Sequence, residues 1–196
     1  MRTRNADKEE LVRQKAIELL VSDGLEGFSV NKLAKACEIS VATLYIYYED
    51  KDDLIISVAL EEARRMTEII MKDFDPDATF EAGMRRQWEN RYKYMMENAL
   101  TAQFFEHLRS STYHDRVFTS ILKEFKEPLS KFTKNAVERQ EIAPMPLEVF
   151  WSIAYAPLYN LIRFHMEGKS IGGKLFTLKD KMVWQAFDLV MKALLL

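Results

Sequence analysis

At 196 residues the chain is long enough to bury an apolar core without staples, and 48% hydrophobic with 30% charged residues excludes a disordered chain. The net charge of −2 excludes a generally basic nucleic-acid binder, so any DNA-facing charge must be local. The single cysteine, Cys37, excludes an intramolecular disulfide and a thiolate zinc site.

Only six Gly and five Pro are spread over the chain, which favours helices throughout and predicts an all-α fold. Asp7, Glu9 and Glu10 open a first helix in which Val12, Ala16, Leu19 and Leu20 recur at three- and four-residue steps, and Gly24 stops it. Ser29 caps a second, short helix whose inward positions are Val30, Leu33, Ala34 and Cys37. Ser40 caps a third, Val41 to Tyr47. Asp50 then acts as N-cap, with Asp53 at capping-box spacing, for a helix through Leu54 and Val58. The acids at 50, 52 and 53 are therefore explained by the positive end of that helix.

Pro76 and its flanking acids break the chain, and Thr79 caps a helix carrying the stripe Phe80, Met84, Trp88, Tyr92, Met95. Residues 100–110 predict a short helix around Phe104, Phe105 and Leu108. Thr112 and Asp115 have capping-box spacing ahead of Val117, Ile121, Phe125, Leu129 and Phe132, with Pro128 expected to kink or split that run. Leu147 to Glu167 reads as one helix kinked at Pro157 and ended by Gly168. Thr177 and Asp180 predict another capping box before Val183, Ala186, Phe187, Val190 and Leu194. The expected architecture is a three-helix head and an antiparallel helical bundle, about nine helices in all, with domains at 1–54 and 55–196. The first 25 residues lack the apolar core of a secretory signal, and no run approaches the roughly 18 apolar residues of a membrane span. The expected location is cytoplasmic.

The helices at 30–36 and 41–47, joined by a three- or four-residue turn and preceded by a longer helix, have the proportions of a helix-turn-helix. The outward positions Val41, Ala42, Thr43 and Tyr47 are small, or aromatic with a hydroxyl. Small side chains let a helix backbone sit deep in a major groove, where methyls touch thymine and hydroxyls bond phosphate oxygens. Of the three clustered tyrosines, Tyr48 is assigned to the core, and Tyr45 and Tyr47 to the DNA backbone.

Gly24, Ser29-Val30, Leu33-Ala34, Ser40, Leu44-Tyr45, Tyr47-Tyr48, Lys51 and Leu54 fall in register with the N-terminal domain of the tetracycline-repressor-like (TetR) family of bacterial transcriptional regulators, which residues 8–60 resemble. The resemblance implies that Ser29, Thr43 and Tyr45 bind phosphate and that Val41, Ala42 and Tyr47 approach base edges or the sugar-phosphate wall. It also implies that Lys51, with the adjacent helix N-terminus, holds another phosphate. Lys32, Lys35 and Ser40 lie beside that set, the two lysines facing either DNA or solvent, and Arg2 and Arg4 are expected ahead of the first helix, either as an arm that enters an adjacent minor groove or as a solvated terminus. The sequence departs from the family at Glu38, where glycine is usual. That residue must accept a left-handed backbone at a cost of order 1 kcal/mol. The resemblance further implies a homodimer through the two C-terminal helices, a palindromic operator and recognition helices roughly 34–36 Å apart.

For the rest of the chain, Trp88, Tyr92, Met95, Phe104, Phe105, Phe125, Trp151, Tyr155 and Tyr159 are the candidates to line a pocket for a small hydrophobic effector. Arg163 or His107 is available to anchor an anionic group. The histidines lack metal-ligand spacing, Ser110, Ser111, His114 and Asp115 are better explained by capping than by a triad, and no cofactor is expected. The reading is a ligand-responsive, non-enzymatic repressor in which effector binding swings the helix that begins near Lys51, with Pro128 and Pro157 as bending points. An all-helical carrier or enzyme for a lipid-like molecule without DNA binding is the alternative, and a pure dimerisation module a third.

Overall fold

Gly24 divides the first helix as its composition requires. In the computed structural model, α1 runs Arg2–Gly27 but breaks at Gly24, whose φ of 72° and ψ of 170° lie outside the helical region and suit a residue without Cβ. The structure describes the backbone of residues 2–196 and the side chains of residues 8–123 and 125–196. The side chains of Arg2 and Arg4 lie outside that set; their backbone belongs to α1 rather than to an arm ahead of it.

The remaining helices are α2 Val30–Ala36, α3 Val41–Leu44, α4 Lys51–Ile70, α5 Phe80–Glu97, α6 Ala99–Arg109, α7 His114–Glu138, α8 Leu147–Ala154, α9 Ala156–Glu167 and α10 Asp180–Leu194. The fold is all-helical, with ten such elements among the described residues. None of these is long and apolar enough to cross a membrane.

The chain forms two compact units, residues 1–66 with 98–123, and 67–97 with 124–196. In the first, α1 packs against α2 and α6, and α2 against α3. Val12, Ala16, Leu20, Leu33, Ala34, Leu44, Leu54 and Ala59 are buried there, as the helical periodicity predicts. Arg13 of α1 pairs with the buried Glu62 of α4, whose carboxylate also accepts from Thr101 of α6. In the second unit, Phe80, Met84, Trp88, Phe132, Phe150, Leu158 and Phe187 belong to one core. Trp88 donates its indole N–H to the Ala154 carbonyl at 2.8 Å, which satisfies the one polar atom on that buried ring.

Several boundaries differ from expectation, each for a local reason. Pro157 does not kink one helix; it opens a new one, because Tyr155 leaves helical geometry at φ −122° and the proline falls in the first turn of α9, where no N–H is needed. Pro128 lies inside a continuous α7. Neither later capping box forms. Ser111 Oγ accepts from the Tyr113 N–H at 3.2 Å, and α7 starts at His114, two residues after Thr112. Asp180 Oδ1 accepts from the Tyr92 hydroxyl at 2.8 Å, and Leu178 is buried as an anchor, so α10 begins only at Asp180.

Candidate nucleic-acid interface

Two serine caps set the interface. Ser29 Oγ accepts from the Lys32 N–H at 3.2 Å and starts α2. Ser40 Oγ accepts from the Thr43 N–H at 3.1 Å and lies 2.8 Å from Thr43 Oγ1, so one hydroxyl both starts α3 and orients the next.

Between them the turn closes in a left-handed C-cap. The Glu38 N–H bonds the Lys35 carbonyl at 3.2 Å and the Ile39 N–H reaches back to Ala34 at 3.0 Å, the paired bonds of a Schellman motif. Glu38 carries φ 54°, the backbone that the sequence requires of it, and its side chain is exposed. Cys37, just before it, is buried.

The recognition segment is shorter than the expected Val41–Tyr47. α3 proper is four residues, after which the Tyr47 and Tyr48 N–H groups both take the Leu44 carbonyl at 3.0 Å and the chain tightens into a turn. Leu44 alone is fully buried, pinning the segment to the head. Ser40 and Ala42 are exposed, Val41 and Thr43 half-exposed, and Tyr45 and Tyr47 stand out at 51% and 50%. Ile46, at 76% exposed, joins this surface and has no place among the residues expected there. Tyr48 is half-buried, and burial pushes its phenol up from the ordinary tyrosine range.

The two lysines are already engaged. Lys32 Nζ donates to Asp23 at 2.6 Å and to the Gly27 carbonyl at 3.2 Å, and this ammonium holds the Asp23 carboxyl below the usual carboxylate range. Lys51 Nζ donates to the Leu25 carbonyl at 2.9 Å and sits 5.8 Å from the Phe28 ring centre. Asp50 Oδ1 caps α4 through the Asp53 N–H at 2.8 Å, and Asp53 in return accepts from the Glu49 N–H at 3.0 Å. Asp50 and Asp53 therefore have main-chain partners, as the cap reading requires, whereas Asp52 accepts from the Tyr113 hydroxyl at 2.7 Å.

The effector candidates divide between the units. Phe104 is buried beside Phe105, which meets Phe118 edge-on, all within the first. A groove of about 690 Å³ in that unit is lined by Gly24, Lys51, His107 and Tyr113 rather than by the expected aromatic rings. In the second unit Trp88 and Met95 belong to or border the core, and Tyr92 is bound to Asp180; burial, then that carboxylate, pushes its phenol up to about 12. Phe125, Trp151, Tyr155 and Tyr159 gather around Arg91, a residue that sequence reasoning missed. Its signal was positional: Arg91 follows Met84 and Trp88 on the inward register of α5. Arg163 is exposed and pairs within its own helix with Glu167.

A three-helix head that caps and exposes a short hydroxyl-bearing segment defines the class of helix-turn-helix proteins. Residues 12–58 match the family model described as bacterial regulatory proteins of the tetR family. An HTH-type transcriptional regulator from Haemophilus influenzae, itself uncharacterized, is 30% identical over 98 residues; the match covers 50% of this chain and 52% of that protein, so the chain spans about half the length of this curated relative. The crystal structure of a TetR family transcription regulator from Marinobacter aquaeolei VT8 superposes with a TM-score of 0.85 at 23% identity, covering 100% of this chain and 99% of that one. The FadR regulator of Bacillus subtilis, solved in complex with stearoyl-CoA, gives 0.75 at 17% identity over 93% and 97% of the two chains. Residues 12–58 thus form an N-terminal domain of the tetR family of bacterial regulatory proteins, and the chain as a whole shares the fold of the TetR-family structures.

Proposed function

We propose that this regulator is a cytoplasmic homodimeric repressor that binds a palindromic DNA operator and is released from it by a small apolar effector. The observation that carries the reading is the exposed surface from Ser40 to Tyr47 on a capped segment pinned by Leu44. In the complex Ser29, Ser40, Thr43 and Tyr45 offer hydroxyls to phosphate oxygens, while Val41, Ala42 and Tyr47 meet the groove wall and base edges. Lys32 exchanges Asp23 for a phosphate, and Lys51 directs its remaining N–H groups to another.

Dimerisation has support in α10. Met182, Leu189 and Ala193 recur at seven- and four-residue steps on a flank of α10 outside its buried residues, and Leu189 is 60% exposed. Pairing that stripe with its symmetry copy gives an isologous interface and hence a two-fold operator. Effector control is supported by the aromatic group in the second unit and by the acyl-CoA held by the Bacillus subtilis neighbour. Effector binding favours the conformer in which the spacing of the two heads no longer fits one duplex turn, and DNA affinity falls.

Selection of duplexes from a random-sequence pool tests the reading. Enrichment of an inverted repeat with half-sites about one turn apart is expected. No enrichment, or an unrepeated half-site, contradicts it.

A further inference from the structure

Arg91 lies in α5 at 2% exposure, and no described carboxylate pairs with it. Its Nη1 donates to the Tyr159 hydroxyl oxygen at 2.7 Å and its Nη2 to Gln87 Oε1 at 3.0 Å, both neutral acceptors. Among the described residues its Nε and the Tyr155 hydroxyl, both buried, make no hydrogen bond of regular geometry, although the hydroxyl lies close enough to the guanidinium for the two to interact electrostatically. Three rings close over the guanidinium: Tyr155 at 4.4 Å, Phe125 at 5.4 Å and Trp151 at 5.6 Å.

An arginine cannot shed its proton in a protein, so the charge persists where water is excluded and where an unpaired ion is costly. Ring faces and neutral acceptors offset part of that cost. What the site still lacks is one negative charge and an acceptor for two donors. A carboxylate supplies both, since it accepts only and matches a guanidinium edge with two oxygens. The surrounding rings require that the carboxylate be attached to an apolar body.

The cover over this site has a place to open. Trp151 is 38% exposed and Tyr159 half-buried, and the two stack at 6.0 Å with 17° between planes. Trp151 belongs to α8 and Tyr159 to α9, so the pair straddles the break that Pro157 makes at Tyr155.

We propose that Arg91 is the head-group anchor for an effector that carries a carboxylate on an apolar body, with Tyr155 as the second donor. The inference rests on the reading that the second unit takes a small apolar effector and narrows it to an acid.

Tryptophan fluorescence of the full chain, titrated with decanoate, decanol and decanoyl-CoA, tests this. The parent is expected to prefer decanoate over decanol by about tenfold or more. Arg91→Gln should reduce the preference to less than about threefold, and Arg91→Lys should leave it between the two. Tyr155→Phe, which removes only the hydroxyl, should keep its melting temperature and still bind decanoate severalfold more weakly; a purely structural Arg91 predicts no such change. Equal binding of acid and alcohol by the parent overturns the proposal, as does a folded Arg91→Gln that keeps the preference. Arg91-dependent binding confined to decanoyl-CoA overturns the carboxylate assignment. If decanoate binds through Arg91 but leaves DNA affinity unchanged, the anchor stands and effector control falls. If a neutral apolar compound releases DNA while decanoate does not bind, the anchor falls and effector control stands.

Discussion

Lys51 Nζ donates to the Leu25 carbonyl at 2.9 Å, which ties the first turn of α4 to the main chain just beyond the Gly24 break in α1. The ammonium is half-buried over Phe28, so the bond is charge-assisted and only partly replaceable by water. Lys51→Met keeps the aliphatic stem and removes the donor. It is expected to lower unfolding free energy by roughly 1 kcal/mol, read from urea denaturation; an unchanged midpoint would show that water substitutes fully for the ammonium.

Glu38 holds φ 54° at the C′ position of α2, where glycine carries no Cβ penalty. Glu38→Gly should therefore raise stability by up to about 1 kcal/mol, reduced by the entropy that glycine gains in the unfolded chain. DNA affinity should rise with it, because a negative charge leaves the turn ahead of α3. A destabilised Glu38→Gly would mean that the carboxylate makes a compensating contact.

Gly83 faces the edge of Phe132 so closely that an added Cβ would come within 2.5 Å of Cζ. The ring cannot retreat, being stacked on Phe80 at 5.5 Å and met edge-on by Phe74 at 5.1 Å. Gly83→Ala gains about 1 kcal/mol of helix propensity but overpacks a closed site, so a net loss of roughly 2 kcal/mol is expected. Phe132→Leu in the same chain should recover part of the loss; additive losses would place the clash elsewhere.

Glu10 accepts from Arg13 and lies 2.7 Å from Arg65, and these guanidinium groups, Arg13 first, bring its carboxyl down to about 2 from an ordinary 4.5. A depressed folded pKa means that the contribution to stability is present above the unfolded value and is lost as pH falls through that window toward 2. The side chain is 45% exposed, so solvent screening limits the effect to about 1 kcal/mol or less. The chemical-denaturation midpoint should fall with pH below 4.5 more steeply in the parent than in Glu10→Gln. Parallel curves would remove Glu10 from the acid transition.

The head was legible because its signals are local. Ser29 and Ser40 each bond a main-chain N–H three residues on, and Glu38 sits where the chain geometry forces a positive φ. What sequence did not reveal is non-local. Nothing in the composition of 98–123 announces that it packs with the first unit, since α6 meets α1 across some eighty residues of chain. Asp180 resembles a cap from its local spacing because its partner, Tyr92, is far away in sequence. Arg91 was passed over because charge ordinarily marks an outward position, and only the surrounding rings reveal that here it does not.

The most direct measurement is fluorescence anisotropy on a duplex selected from the random pool, at several salt concentrations, for the parent and for Ala42→Asp. Ala42 is exposed, so the substitution should change stability by no more than about 0.5 kcal/mol. For the parent, log affinity should fall linearly with log salt, and the variant, with a carboxylate set against the phosphates, should lose binding by about a hundredfold or more. A folded Ala42→Asp protein that binds as the parent does, or a parent whose affinity ignores salt, would contradict DNA recognition by the surface around α3.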